Sequence, residues 1–124
     1  MSERPVSVVE LSTFIRSAEA AGMGDTERSE LIDFLARNPL AGAVIRETGG
    51  IRKVRWKRPD AGKSGSFRVV YFFYDDDAPI YLILAYGKGD QADLNAAQRK
   101  AAASFVQALK VAIRSRRAEK VETK

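Results

Sequence analysis

The alternation of apolar and polar residues divides the first part of the chain into one strand and two helices. A short strand is predicted over residues 6–11. A brief helix follows, capped by Ser12 or Thr13, and a second is capped by Asp25, with apolar residues at helical spacing. The Asn-Pro pair at 38–39 ends it, because the residue before proline is disfavoured in the α region.

Three further segments have the patterns of strands. Residues 51–57 alternate strictly, which predicts a strand with a basic face. Residues 67–74 and 80–86 are almost wholly apolar and read as central strands, joined by a tight turn over residues 75–79. Residues 40–50 read as a connection that closes at a glycine pair. One face of the alternating strand carries Ile51, Lys53, Arg55 and Lys57, and the other carries Arg52, Val54 and Trp56.

The last predicted element is a long helix from Asn95 to about Arg117. Asn95 and Gln98 have the spacing of a capping box. The tail over residues 118–124 is expected to be disordered. The predicted buried stripe of the helix consists of Ala97, Ala101, Phe105, Ala108, Leu109, Ala112 and Ile113.

These elements predict one α+β domain over residues 1–124. Its sheet is small, twisted and mostly antiparallel, flanked by helices and followed by a long C-terminal helix. The longest apolar run, residues 80–86, is too short to cross a bilayer, and the chain has no cysteine. We therefore expect a soluble cytoplasmic protein without a membrane partner. It has no histidine either, and we predict neither a metal nor another cofactor.

Charge is concentrated in one part of the chain. Residues 52–68 carry seven basic side chains and one acid, a net charge of +6, whereas the whole chain carries +5. Such a concentration on one hairpin favours a polyanion site. Residues 99–124 are also basic. The two interpretations of this second basic stretch are another anion-binding surface and a solvated helix end. The hairpin's basic residues are Arg52, Lys53, Arg55, Lys57, Arg58, Lys63 and Arg68.

Hairpin geometry predicts which of these residues meet. A tight turn at 75–79 places Arg68 beside Tyr86, with Lys88 just beyond that end of the sheet, and the preceding hairpin brings Arg55 opposite Arg68. A phosphate suits such a cluster, because arginine offers a bidentate fork and lysine a compact charge. An ordinary solvated strand face is the alternative. Tyr86 and Trp56 are candidates for stacking on bases or for the core.

Three segments in the same order resemble one known family. They are NPLAGAVIRETGGIRKVRW (residues 38–56), GKSGSFRVVYFFY (62–74) and IYLILAYGKGDQADL (80–94). They are similar to the motifs of the RelE superfamily of toxins from toxin–antitoxin systems, and most similar to its HigB-like branch. The resemblance covers roughly residues 6–110. Ser66 stands where that branch has a second glycine, and Leu94 or Asn95 where RelE has a late tyrosine.

The resemblance implies a metal-independent endoribonuclease that cuts mRNA in the ribosomal A site and thereby inhibits translation. A cognate antitoxin, a helix-turn-helix protein, would neutralise it. By position in the motifs, Arg68 is the arginine at the scissile phosphate, Lys53 and Arg55 the basic residues of the preceding strand, and Lys88 the basic end of the last strand.

From these residues we predict a catalytic group of Arg68, Lys88, Arg55 and Lys53. The predicted RNA-binding residues around it are Arg52, Lys57, Arg58, Lys63 and Tyr86. The identity of the general base stays open. A non-catalytic RNA- or ribosome-binding module of the same fold is the alternative. A DNA-binding repressor is less favoured, because no helix-turn-helix pattern is visible.

Overall fold

The structure is a computed structural model that describes residues 5–57, 66–87 and 94–122, with side chains through residue 119. Within these ranges the chain forms five strands and three helices. They are β1 (Val8–Glu10), α1 (Ser12–Ala20), α2 (Asp25–Arg37), β2 (Ala43–Val44), β3 (Ile51–Lys57), β4 (Ser66–Phe72), β5 (Ile80–Gly87) and α3 (Ala96–Glu122).

The five strands form one sheet in the order β1-β5-β4-β3-β2. Strand β1 pairs with β5 in parallel, and the other three pairings are antiparallel. The predicted α+β class, mostly antiparallel sheet and long C-terminal helix are therefore confirmed. Strand β2 was not predicted, because its two exposed residues offer too short a pattern to distinguish a strand from a connection.

Helices cover the two faces of the sheet unequally. Helices α1 and α2 bury Phe14 and Leu35 against one face, where they meet Val69 and Leu82. On the other face, α3 buries Val106 in a smaller cluster. The sheet residues fully buried in that cluster are Ile51, Val70 and Phe72. The domain is thus a three-layer arrangement in which the layer formed by α3 is incomplete.

The helix starts follow the predictions in part. The capping box of α3 is confirmed, since the Asn95 and Gln98 backbone N–H groups each donate to the other residue's side chain, at 2.9 and 2.8 Å. The predicted caps of α1 and α2 are both wrong, because Leu11 and Gly24 occupy the cap positions and make no side-chain bond there. The Thr13 hydroxyl instead donates to the Ile83 carbonyl at 2.6 Å, which ties α1 to β5.

The predicted buried stripe of α3 is wrong by a rotation of the helix. Ile113 is buried and Leu109 half-buried as predicted, but Val106 lies at the centre of the contact and Phe105 remains 38% exposed. Four predicted members are exposed, namely Ala97, Ala101, Ala108 and Ala112. The sequence pattern favoured this alanine row by number, whereas packing selects the bulkier β-branched residues, which fill more of the space over the sheet.

Ion pairs near both ends of α3 agree with this rotation. Arg99, Val106 and Ile113 lie seven residues apart and share a face, with Arg117 on the next turn. The Arg117 guanidinium donates to the Asp75 carboxylate at 2.6 Å, and Arg99 Nε lies 3.8 Å from Glu47 Oε1. The helix continues past the predicted end at Arg117 to Glu122, and residues 123–124 are outside the described ranges. None of the described helices is long and apolar enough to cross a membrane.

Candidate nucleic-acid interface

Strands β3, β4 and β5 place one aromatic and two basic residues in a row across the sheet. Arg55 pairs with Arg68, and Arg68 with Tyr86, as the hairpin geometry predicted. Residues two apart in a strand share a face, so Lys53 and Lys57 lie on the same face as Arg55. We call Lys53, Arg55, Lys57, Arg68 and Tyr86 the basic patch.

The register of β4 and β5 is correct at the patch and shifts elsewhere. A β-bulge between Val70 and Tyr71 changes the pairing, so that Phe72 faces Tyr81. Counting back from the tight turn would pair Tyr74 near Ile80, but the described pairing on that side of the shift ends with Phe72 and Tyr81. The patch keeps its predicted neighbours because it lies on the other side of the bulge.

The basic patch lies on the face that carries α3, at the border of the part that α3 covers, since Tyr86 still packs against the cluster beneath the helix. Ile51 pairs with Phe72 under the helix, Lys53 pairs with Val70 one step further along, and Arg55 and Arg68 follow. The Arg55 and Lys57 side chains are exposed, whereas those of Lys53, Arg68 and Tyr86 are half-buried. The patch is accessible, and its floor is the sheet itself.

Two positive charges face each other at the centre of the patch. Like charges directly opposite on neighbouring strands destabilise the pairing. Among the described residues, no carboxylate lies within 4.0 Å of Arg55 or Arg68. The described polar contact of the Arg68 guanidinium is a long one, 3.5 Å from Nη1 to the hydroxyl of Ser66. An anion bound between the two arginines would relieve this repulsion.

Other predicted site residues lie apart from the patch. Arg52 is on the opposite face, where its guanidinium donates to the Gly42 carbonyl at 2.6 Å. Trp56 is also on that face, with its ring 5.3 Å from the ring of Phe34, so it belongs to the core. Three further predicted residues, Arg58, Lys63 and Lys88, lie outside the described residues.

The segment before β3 is fixed by one buried phenol. The Tyr71 hydroxyl donates to the Pro39 carbonyl and accepts from the Gly42 N–H, both at 2.8 Å. Burial raises the pKa of the Tyr71 phenol, so it stays a neutral donor. A Cβ at Gly42 would lie 2.9 Å from the Tyr71 ring, which explains the glycine in this motif. These bonds hold β2 against β3 beside the patch.

A cleft of about 420 Å³ adjoins the patch at Lys53 and contains basic residues that the sequence analysis did not single out. Arg46 from the turn after β2 and Arg99 from the first turns of α3 line it together with Lys53. Arg46 and Arg99 are far apart in sequence, and neither belongs to the basic stretch over residues 52–68. Recognising β2 was the signal that would have placed Arg46 near Lys53.

At the opposite end of this face, an acidic residue is held in an ion pair with α3. Asp75, in the turn after β4, holds Arg117, whose guanidinium also lies 5.6 Å from the centre of the Tyr74 ring. The hydrogen bond from Arg117 lowers the pKa of the Asp75 carboxyl below its ordinary value. Asp75 therefore lies at the end of the sheet opposite Arg55 and Arg68.

No known protein-family model matches the chain. The likeness to RelE-type toxins therefore rests on the three sequence segments quoted above, and the function that it implies is a proposal.

Proposed function

We propose that the protein is a ribosome-dependent mRNA endonuclease, the toxin of a toxin–antitoxin pair, with the HigB-like toxins as its nearest family. The observation that carries this proposal is the row of Arg55, Arg68 and Tyr86 across three strands, at the edge of the part of the sheet that α3 covers. Two guanidinium groups beside an aromatic ring suit a phosphate with an attached base.

The reaction that fits this chemistry is attack of a ribose 2′-hydroxyl on the adjacent phosphate. The 2′-oxygen forms a bond to phosphorus and loses its proton, while the bond from phosphorus to the 5′-oxygen breaks and that oxygen gains a proton. The products are a 2′,3′-cyclic phosphate and a 5′-hydroxyl end. The phosphorane-like transition state carries additional negative charge, which favours fixed cations around it.

In this proposal Arg68 and Arg55 bind the non-bridging phosphate oxygens. Arg68 is half-buried, so its charge acts in a less watery environment than that of an exposed side chain. Lys53 lies one step along β3 and serves orientation and proton transfer, and Tyr86 stacks on a base. Lys88, from outside the described residues, belongs to the same proposed catalytic group.

The remaining basic residues serve approach rather than chemistry. Lys57 is exposed at the end of β3, where it attracts flanking phosphates through a field that salt screens. An incomplete set of acid–base groups explains why such an enzyme would need the ribosome to position its mRNA. A neutralising antitoxin would be expected to cover the basic patch with acidic residues.

A translating cell extract tests the proposal. Purified protein is added, and primer extension on a translated message maps new 5′ ends. Wild-type protein should produce cuts within codons, only when translation is active. Arg68→Ala should reduce the cleavage rate by about 10²–10³-fold, the usual loss when one group that stabilises transition-state charge is removed.

Arg16→Ala is the matched control, because Arg16 is an exposed arginine on α1, across the sheet from the patch. It should cut like wild type, and circular dichroism should show all three proteins folded. Full cleavage or full growth arrest by folded Arg68→Ala protein contradicts the site assignment. Stalled ribosomes without cut ends would instead identify a binding module of the same fold.

A further inference from the structure

The cleft beside Lys53 has walls of two kinds. Among the described lining residues, Arg46, Lys53 and Arg99 supply three positive charges and Glu47 one negative charge. The other wall is apolar. It is formed by strand β2, by the residue that follows β2 and by the residue before the capping box of α3, namely Ala43, Val44, Ile45 and Leu94. Val44 is 53% exposed, and it lies beside the charged residues.

The turn between β2 and β3 is built to hold its residues in place at this cleft. Thr48 is fully buried, and its hydroxyl donates to the Ile45 carbonyl and accepts from the Ile51 N–H, at 2.7 and 3.1 Å. Glu47 has a positive φ of 63°, which non-glycine residues seldom adopt. The Glu47 carboxylate lies 3.8 Å from Arg99 Nε, so the turn and α3 meet at an ion pair.

These walls match one class of ligand. An excess of positive charge favours an anion, and a phosphate suits the guanidinium groups of Arg46 and Arg99. The apolar wall suits a flat ring rather than a bare inorganic ion. The volume of about 420 Å³ lies within the range of about 300–1,000 Å³ common to small-molecule sites. A nucleotide has both parts.

We propose that this cleft binds one nucleotide of the RNA strand next to the nucleotide at the basic patch. Its phosphate contacts Arg46, Lys53 and Arg99, and its base packs on Val44, Ile45 and Leu94. This inference rests on the proposed function, because that function supplies the strand. It adds a second subsite and assigns RNA recognition to Arg46 and Arg99.

Strand β3 connects the two subsites. Lys53 lines the cleft, and Arg55, two residues on, lies in the patch about 6.6 Å away along the strand. Grooves that bind single strands follow the backbone with positive charge and pack bases on apolar or aromatic side chains. The proposed path of the RNA strand begins at the cleft and runs along β3 from Lys53 to Arg55. It then crosses the sheet to Tyr86 on β5.

The test is a titration followed by NMR of the full-length, isotope-labelled protein. Adenosine and uridine 5′-monophosphates should shift the backbone amides of residues 43–47 and 94–99, and should bind at least about tenfold more tightly than inorganic phosphate. A 2′-O-methyl trinucleotide has no 2′-hydroxyl with which to react. It should shift these amides together with those of Arg68 and Tyr86.

Arg46→Glu should weaken binding of the monophosphates by at least about tenfold. The matched variant Arg16→Glu makes the same charge change on an exposed arginine of α1, and should bind like wild type. Both positions are exposed, so both variants should fold, and the amide spectra check this directly. Equal weakening by the two variants would overturn the inference, because it would reduce the effect to net charge.

Other outcomes also decide the matter. If the amide signals of the cleft do not shift when nucleotide is added, the subsite is overturned. Equal affinity for inorganic phosphate and for the nucleotides would also overturn it. A trinucleotide that shifts the cleft without Arg68 and Tyr86 would identify a site for free nucleotides, and would overturn the single-strand path. If the monophosphates bind but wild-type protein cuts no mRNA in the translating extract, the proposed function fails. If the extract shows cuts and the cleft amides stay unmoved, only the subsite fails.

Discussion

One face of the sheet has two halves that share strands β3 and β4 and differ in what lies above them. In the covered half, Ile51 and Phe72 pair beneath Val106 of α3. In the open half, Arg55 and Arg68 pair with none of the described helices over them. The same alternation that buries apolar residues under the helix therefore exposes charged ones beyond it, and the position of α3 separates the stabilising half from the proposed functional half.

The largest expected difference in stability is between two variants of β4, each with one residue replaced, one in the covered half and one in the open half. Phe72→Ala should lower the free energy of unfolding by about 3–5 kcal/mol, because it removes a buried ring and leaves a cavity. Arg68→Ala should change it by no more than about 0.5 kcal/mol. Urea denaturation of both variants measures the difference. Comparable losses would mean that Arg68 is a structural residue.

A smaller effect is expected from loosening the border of the open half without changing its charge. Tyr71→Phe removes the hydroxyl that joins Pro39 and Gly42, and leaves their backbone groups without this partner. The free energy of unfolding should fall by about 1–3 kcal/mol. Amide hydrogen exchange at Gly42 should accelerate more than exchange at Phe72. Uniform acceleration would show that Tyr71 stabilises the whole sheet rather than this border.

Relief of repulsion in the open half should stabilise the protein slightly. Arg55→Gln should raise the free energy of unfolding by about 0.2–1 kcal/mol at low salt, because it removes one of two like charges on paired residues. Salt should diminish the gain, since it screens exposed charges. Urea denaturation at low and high salt measures this. A loss of stability at low salt would contradict the repulsion.

The smallest effect concerns the ion pair at the covered end of the sheet. The bond from Arg117 lowers the pKa of folded Asp75, so its stabilisation is complete above the ordinary aspartate pKa and is lost as pH falls through the lowered value. Asp75→Asn should therefore melt below wild type at neutral pH and converge with it in acid. Thermal melts from pH 7 down to about pH 2 record this. A pH-independent difference would assign the effect to the turn.

The alignment of Arg55, Arg68 and Tyr86 could be predicted from the sequence, whereas the packing of α3 over the sheet could not. Alternation in residues 51–57 and the tight turn after β4 indicate which strands pair, and the β-bulge between Val70 and Tyr71 offsets the one-residue difference between the count from the turn and the observed pairing. The rotation of α3 could not be read from its sequence, since the alanine row is as periodic as the row through Val106. Contacts between distant segments, such as that of Glu47 with Arg99, select between them.

The cleft escaped prediction for the same reason. It requires β2, which consists of Ala43 and Val44 and takes its place through the bonds of Tyr71 rather than through its own pattern. Arg52 illustrates the limit of charge counting. It belongs to the most basic stretch of the chain, yet the pleat directs it to the other face, where it binds a backbone carbonyl.

The parallel pairing of β1 with β5 has a consequence for synthesis of the chain. Val8 pairs with Ile80, so β1 leaves the ribosome long before its partner β5. The three strands that carry Arg55, Arg68 and Tyr86 also cannot assemble until β5 has emerged. Such long-range pairing slows folding, and the row of Arg55, Arg68 and Tyr86 therefore forms late during translation. Under the proposed function, a nascent chain has no assembled RNA site before β5 has left the ribosome.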